Sequence, residues 1–507
     1  MDDLNQASGV IVKNTDSKTG PAAGDSLYST RENIISAMLE DNAPLVSIVL
    51  IGFNNLEQHT KTCIECILKY TGDVDYELIL VDNGSSDETL EYFKQVPYVR
   101  KRIIHITKNL GAFYGSRSGL ELAAGAYIVG IANDVYVTQN WLSNLLKCAM
   151  SDKSIGMVGP VSNNVSNYQS IDLCFNGIPD MQEKAAQYNI SSPRQWHERI
   201  RLISPIVLFK RTCLDMIGTY DYGFLHDFAD DDITFRVRRA GYKAVLCRDV
   251  FVYHAGHTSG QSFEQYRESL QKGRTAFNNK YHGIDAWNDV NNYEFTMTSL
   301  ISPVQSIEAV CTNVLGIDVL CGTPLLEIKN RLRSGGVYNV CLSAFTSDAR
   351  YWLDLNTICT GKVAVDRLQY LGEHFNASRF DYIVLGKPVN TYSEPYRLTK
   401  DILSLLKDEG HLLVKLTNTY DARTLLSISG NSSALDSGIV ANVPLPAFEA
   451  YLNTLGFECK KKAAEFHCTD GDTINTLKKV SEDLNPQSPD DIFSNIMINH
   501  YVLDISR

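Results

Sequence analysis

What this 507-residue chain lacks narrows what it can be. No run approaches the roughly 18 consecutive apolar residues that a membrane-spanning helix needs. The start, MDDLNQASGV, is acidic and polar, without a secretory leader's basic-then-apolar pattern, so a cytoplasmic location is expected. Paired cysteine spacing is missing too. The 12 cysteines lie scattered in apolar segments, Cys148, Cys247 and Cys341 among them, which favours reduced, mostly buried thiols over a disulfide framework. Cys63-x-x-Cys66 sits in a helical pattern with no partner pair elsewhere, so it reads as packing rather than as a zinc or redox site. Positive charge is also short: 47 Lys and Arg stand against 59 Asp and Glu, and a net charge of -12 argues against nucleic acid as a partner.

With 44% hydrophobic and 21% charged residues the composition is that of an ordinary globular protein, and the length calls for two or three domains. Residues 1–43 read as a polar tail, Gly20-Pro21-Ala22-Ala23-Gly24-Asp25 within it, ending in a short helical pattern of Ile34, Ile35, Met38 and Leu39. Such a segment buries too little apolar surface to order itself. Two α/β domains are expected to follow, over 44–300 and 301–507.

From Leu45 onward short apolar runs alternate with helical patterns. Val46 to Ile51, Leu78 to Val81, Ile103 to Ile106 and Tyr127 to Ile131 read as strands, with helical patterns at Leu56 to Leu68, Asp87 to Phe93 and Ser116 to Ala123 between them. The strands lack polar alternation, as in a parallel sheet covered on both faces, so a doubly wound arrangement is expected. Ligands bind such sheets beyond the carboxyl ends of the strands. Those ends carry Gly52-Phe53-Asn54, Asp82-Asn83-Gly84, Asn109-Leu110-Gly111 and Asn133-Asp134, each polar or glycine-containing.

Two acidic clusters stand out, Asn133-Asp134-Val135 and Asp230-Asp231-Asp232, and the segment ends in Tyr253-His254-Ala255-Gly256-His257. An acidic tip on a buried strand, a carboxylate heading a helix and a histidine after the next strand can together hold a divalent cation, bind a diphosphate and deprotonate a hydroxyl.

The runs SIVLIGFNN, ELILVDNGSSDET, NLGAFYGSRSGLELAAGAYIVGIANDVYVTQNWL, GMVGPVSNN and DDDITFRVRRAGYKAVLCRDVFVYHAGHTSG follow in order between Leu45 and Gly260. Together they resemble the inverting nucleotide-sugar glycosyltransferases of family 2, which have the GT-A fold. The resemblance implies a UDP-sugar donor, a hydroxyl acceptor and Mn²⁺ or Mg²⁺. It makes Asp82 the acid that reads the base, a role compatible with capping the Asn83-Gly84 bend, which is what Asp82 read alone would do. Gly52, where the family usually has proline, and Asn54 would border base and ribose. Asn109, Gly111 and Asn133 lie in the same loops, and Arg117 could meet the nucleotide or be a solvated helix arginine.

Asn133-Asp134-Val135 takes the place of the family's Asp-x-Asp, and Ala132 fills its first acidic position. Asp134 is thus its single carboxylate, with His254 as the implied further metal ligand and His257 in reserve. Asp134 could instead cap the turn into the helix at Trp141. Aligning back from Arg238-Arg239-Ala240-Gly241 puts Asp230 at the catalytic base and Asp232 at the second acid, with Ala229 replacing the usual Glu. Acids there also suit a helix N-terminus, although three exceed what capping needs.

After a helical pattern from Tyr266 to Tyr281, a second α/β pattern starts near Glu308. Gly316 to Pro324, Val340 to Leu342, Phe380 to Gly386 and Leu406 to Val414 resemble a class I S-adenosylmethionine methyltransferase core, a Rossmann-like fold. Its glycine loop is altered, with Leu320 and Pro324 around Gly322. The acid expected to end the second strand is missing from Cys341-Leu342-Ser343-Ala344, and Lys387-Pro388 follows the fourth. The fold is expected without its cofactor, so S-adenosylmethionine should not bind.

The expectation is therefore a metal-assisted inverting glycosyltransferase using a UDP-sugar, UDP-N-acetylglucosamine among the candidates. Its acceptor would be a hydroxyl on a glycan, a lipid-linked glycan or a protein such as flagellin, in bacterial surface glycosylation. The C-terminal domain would serve acceptor binding or self-association into a homo-oligomer. Two rivals stay open: a bifunctional enzyme whose C-terminal domain methylates the sugar, and a non-catalytic sugar-nucleotide-binding protein.

Overall fold

A computed structural model describes residues 3–5, 10–13, 29, 31–33, 43–203, 205–224, 227–256, 262–301, 311–422, 438–467, 471–484 and 486–507. The chain divides into two compact units, 1–291 and 292–507. Among the described residues no helix is long and apolar enough to cross a membrane.

The strands of the first unit are β1 (Asp3–Asn5), β2 (Val10–Lys13), β3 (Val46–Gly52), β4 (Tyr76–Asn83), β5 (Lys101–Ile106), β6 (Tyr127–Ala132), β7 (Val135–Tyr136), β8 (Ile155–Ser162), β9 (Trp196–Arg199), β10 (Ile206–Lys210) and β11 (Lys243–His254). They form one 11-stranded sheet in the order β1-β2-β5-β4-β3-β6-β10-β8-β11-β7, with β9 paired to β11. Every residue of β3 and of β4 is buried, which is why their middles, Ile48 to Ile51 and Leu78 to Val81, are apolar runs. The Ala112–Leu122 helix lies so close on them that a Cβ at Gly119 would overlap Val49 and Val81.

Neighbouring strands are parallel from β2 to β6, as expected, but β10 runs antiparallel to both β6 and β8. The sheet is therefore mixed. β8 escaped notice in the sequence because Gly156, Gly159 and Pro160 interrupt its apolar run.

The N-terminal stretch is more than a polar tail. β1 and β2 extend the sheet beyond β5, and Arg31, 1% exposed, donates to the Asp215 carboxylate and the Ala123 carbonyl. A charge that deeply buried must be paired, so this ion pair ties residue 31 to the unit. The pattern of Ile34, Ile35, Met38 and Leu39 lies outside the described residues.

The second unit contains β12 (Thr312–Ile317), β13 (Val340–Thr346), β14 (Val363–Val365), β15 (Phe380–Leu385), β16 (Leu406–Thr417), β17 (Glu458–Phe466) and β18 (Ile498–Ser506). Their order is β14-β13-β12-β15-β16-β18-β17, parallel from β14 through β16, with β18 antiparallel to both its neighbours. Chain order reverses between β12 and β15, the place where doubly wound sheets bind ligands. β13 runs on to Thr346, two residues beyond Ala344, and Asp348 follows it, bound to Arg350. The loop after β12 carries Asp318, Leu320 and Gly322 at φ values of 50°, 54° and 98°. Buried Asp318 accepts from Ser347 N at 2.7 Å and Ser347 Oγ at 2.8 Å, while Leu355 and Ile358 crowd Gly322.

Candidate active site

The site of the first unit gathers beyond the carboxyl ends of β3, β4 and β6. Asn54, in left-handed backbone at φ 51°, donates from its N–H to Ser85 Oγ at 2.9 Å and accepts from Ser86 N at 2.8 Å through Oδ1. Asn133 Nδ2 donates to Thr60 Oγ1 at 2.8 Å and to the Asn54 carbonyl at 3.3 Å. These side chains lock the loops after β3, β4 and β6 to one another. Asn83, which sequence reasoning passed over, adds the next loop. Its Nδ2 donates to Asn109 Oδ1 and to the Gly111 carbonyl at 3.1 Å each, and its Oδ1 accepts from Leu110 N at 3.1 Å.

Asp82 is fully buried and accepts from Ser85 N at 3.0 Å, which is the turn-capping contact, and from His105 Nδ1 at 2.6 Å. Arg117 pairs with Glu121 at 2.5 Å one turn on along its helix, and its guanidinium lies over the Tyr114 ring.

Asp134 and His254, distant in sequence, meet through backbone pairing. β7 follows Asp134 directly and pairs with the end of β11, His254 opposite Val135 and Tyr253 opposite Tyr136. The Ala255 N–H donates to the Asp134 carbonyl at 2.9 Å. His254 Nδ1 contacts the Asn164 carbonyl at 2.6 Å, which leaves Nε2 facing Asp134 Oδ2 at 3.3 Å. Burial raises the Asp134 carboxyl, but the hydrogen bond and charge of His254 outweigh it and hold it below the ordinary carboxylate range. Burial lowers the His254 imidazole, and Asp134 more than reverses that. Asp134 does not cap the helix at Trp141, whose N-cap is Asn140.

One carboxylate oxygen and one imidazole nitrogen are a donor set that could hold a divalent cation. Among the described residues no cluster of three or more such ligands forms, and His257 lies outside them.

The three consecutive acids have three different surroundings. They open the Ala229–Arg239 helix, after Phe228 at φ 64°. Asp231 takes two donors from Arg201 and is 2% exposed. Asp232, fully buried, accepts from Arg236 Nε at 2.9 Å and Tyr281 OH at 2.7 Å, and also pairs with Lys280. Asp232, expected as the second acid of the site, is held in that network by Arg236, Tyr281 and Lys280. Asp230 alone of the three is partly exposed. Asn163 and Asn164, also passed over, belong to the loop after β8 that holds His254. Asn167 of the same loop donates to the Arg201 carbonyl at 2.8 Å, so one loop braces both the Asp134–His254 pair and the Arg201 that fixes Asp231. The legible signal was the Asn pair ending an apolar run.

A mixed α/β sheet with these polar loops at its strand ends agrees with the comparisons. Residues 47–197 match the model of the family described as Glycosyl transferase family 2. The similarity to that family is carried by residues 47–197, and curated relatives that the chain resembles are named as glycosyltransferases. It is 24% identical over 225 residues to glycosyltransferase AglE of Haloferax volcanii, covering 43% of this chain and 69% of that protein. Hyaluronan synthase of Pasteurella multocida is 26% identical over 165 residues, which are 31% of this chain and 17% of the synthase. An uncharacterized glycosyltransferase of Haemophilus influenzae is 27% identical over 121 residues, 24% of this chain and 37% of its own. Of these, the chain spans less than two thirds of the synthase and of the Haemophilus protein. Among solved structures, a mannosyltransferase of Pyrobaculum calidifontis in complex with GDP-Man and Mn²⁺ aligns with a TM-score of 0.36 at 17% identity, over 50% of this chain and 74% of that one.

Proposed function

We propose that the protein is a cytoplasmic inverting glycosyltransferase that moves a sugar from a UDP-sugar, UDP-N-acetylglucosamine being the first to test, onto an acceptor hydroxyl of a glycan, lipid-linked glycan or protein. The observation that carries this reading is the Asp134–His254 pair at 3.3 Å, set where the loops of β3, β4 and β6 converge. When bound, a divalent cation at this pair supplies the charge that neutralises the leaving diphosphate. Asn54, Asn83 and Asn133 hold the nucleotide loops in register. Asp230 accepts the acceptor's proton as the new bond forms, opposite the diphosphate. Asp231 and Asp232 position the helix that carries it.

The second unit serves as an accessory, methyltransferase-like domain without cofactor. Its doubly wound strand order supports the kinship, while the Asp318–Ser347 bonds and the packing of Leu355 and Ile358 on Gly322 support loss of the ligand. Asp348 after β13 is the feature that favours the rival methylating reading, and its carboxylate is engaged by Arg350. Transfer or hydrolysis of UDP-sugars by the full chain, with Mn²⁺ and in EDTA, tests the assignment; no turnover of any nucleotide sugar would overturn it.

A further inference from the structure

The row of residues across the strand ends raises a question about the base. Gly52 in β3 stands beside Asp82 in β4, and Asp82 stands beside His105 in β5. Asp82 has no exposed surface, and both of its oxygens already accept hydrogen bonds, from Ser85 and from His105. The His105 side chain keeps 24% exposure. Its Nδ1 is held against the carboxylate, and its Nε2 makes no hydrogen bond among the described residues. A carboxylate beside Nδ1 holds a proton on that nitrogen, and in the tautomer whose one ring proton sits there Nε2 is an acceptor.

We propose that His105, rather than Asp82, reads the donor's nucleobase: Nε2 accepts from the imide N–H of uracil, and Asp82 is the positioning residue that fixes the tautomer. This rests on the nucleotide-sugar reading above. Direct contact from Asp82 would require opening either the Ser85 turn or the His105 bond, and a buried acceptor stripped of its donor is costly. The arrangement also discriminates. Cytosine presents an unprotonated N3 at the corresponding edge, and two acceptors facing one another repel.

Titration calorimetry of the full chain with Mn²⁺ tests this, using UDP, CDP and inorganic diphosphate as ligands. Wild type should bind UDP more tightly than CDP. One hydrogen bond is worth about tenfold, so His105→Ala should weaken UDP by roughly that factor, erase its advantage over CDP and leave diphosphate within about twofold. His105→Gln, whose amide oxygen can accept, should recover most of the loss. Asp82→Asn should weaken UDP alone but add nothing on top of His105→Ala. Retained diphosphate binding and melting temperature certify the fold of each variant. UDP binding that is unchanged in both His105 variants overturns this assignment alone, whereas a wild type that binds neither UDP nor diphosphate overturns the nucleotide reading with it.

Discussion

Replacing Asp230 by Asn separates catalysis from folding at the head of the Ala229–Arg239 helix. Asn keeps the size and polarity of the side chain and removes its basicity. A general base contributes about 10²- to 10⁴-fold, so turnover should fall by roughly 10²-fold or more, at least about 2.7 kcal/mol of barrier. Donor affinity and melting temperature should barely move, because Asp230 is partly exposed and Asn keeps the side chain's size and hydrogen-bonding capacity.

Asp232→Asn should behave in the opposite way. It leaves Arg236 and Lys280 facing a neutral amide, and breaking a buried pair costs about 3–5 kcal/mol. Lys280 keeps 32% exposure, so the lower end applies. At about 2–4 °C per kcal/mol for a unit of this size, the melting temperature should drop by roughly 6–12 °C. Steady-state turnover, donor titration and thermal melting of the two variants decide the matter. An Asp232 variant that loses turnover at unchanged stability, beside an active Asp230 variant, would place the base two residues further on. If both stay active and folded, the base lies on another element.

Asp134→Ala should lower turnover by roughly 10²-fold or more and weaken donor binding, since the diphosphate loses its counter-charge; full activity in EDTA would refute the metal assignment. S-adenosylmethionine titrated into the full chain should give no binding heat, and a low micromolar affinity would reassign the second unit. Gly119→Ala should cost about 1–3 kcal/mol by denaturant unfolding, because the added methyl meets Val49 and Val81. Burial raises the Asp221 carboxyl, but its bond to Lys280 outweighs this and leaves it below the ordinary value. Its contribution to stability is then complete above the unfolded carboxyl range and lost as pH falls through the folded value. Melting temperature should therefore decline below about pH 4, less steeply in Lys280→Met.

The parallel half of the first sheet was legible because β3 and β4, buried on both faces, carry apolar runs through their middles, Ile48 to Ile51 and Leu78 to Val81. β2 was not: four residues are too short to show a period, and only pairing with β5 makes them a strand. At the site, Asp134 and His254 could be named from the resemblance, yet nothing in their spacing says that a two-residue ladder brings them together. Asp230, Asp231 and Asp232 look alike in sequence. What distinguishes them is the placement of Arg201, Arg236, Lys280 and Tyr281, three of which are remote in the chain. His105 was invisible for a related reason, since a histidine inside a strand pattern carries no signal until its neighbour proves to be a buried carboxylate.

The short ladder between β7 and β11 also sets when the site can exist. Its two residue pairs close a very long loop and return little against the entropy of that closure, so the junction gains stability only after β11 has docked on β8. During synthesis, a chain whose β11 has not yet left the ribosome has the loops after β3, β4 and β6 but no Asp134–His254 pair. In the finished protein the same junction should be the first part of the cleft to open, and the Ala255 amide should exchange with solvent well before those of β3 and β4. On the proposed reading, a cation and diphosphate could be held only by the completed fold, and would in turn fasten the seam that the two-residue ladder holds weakly.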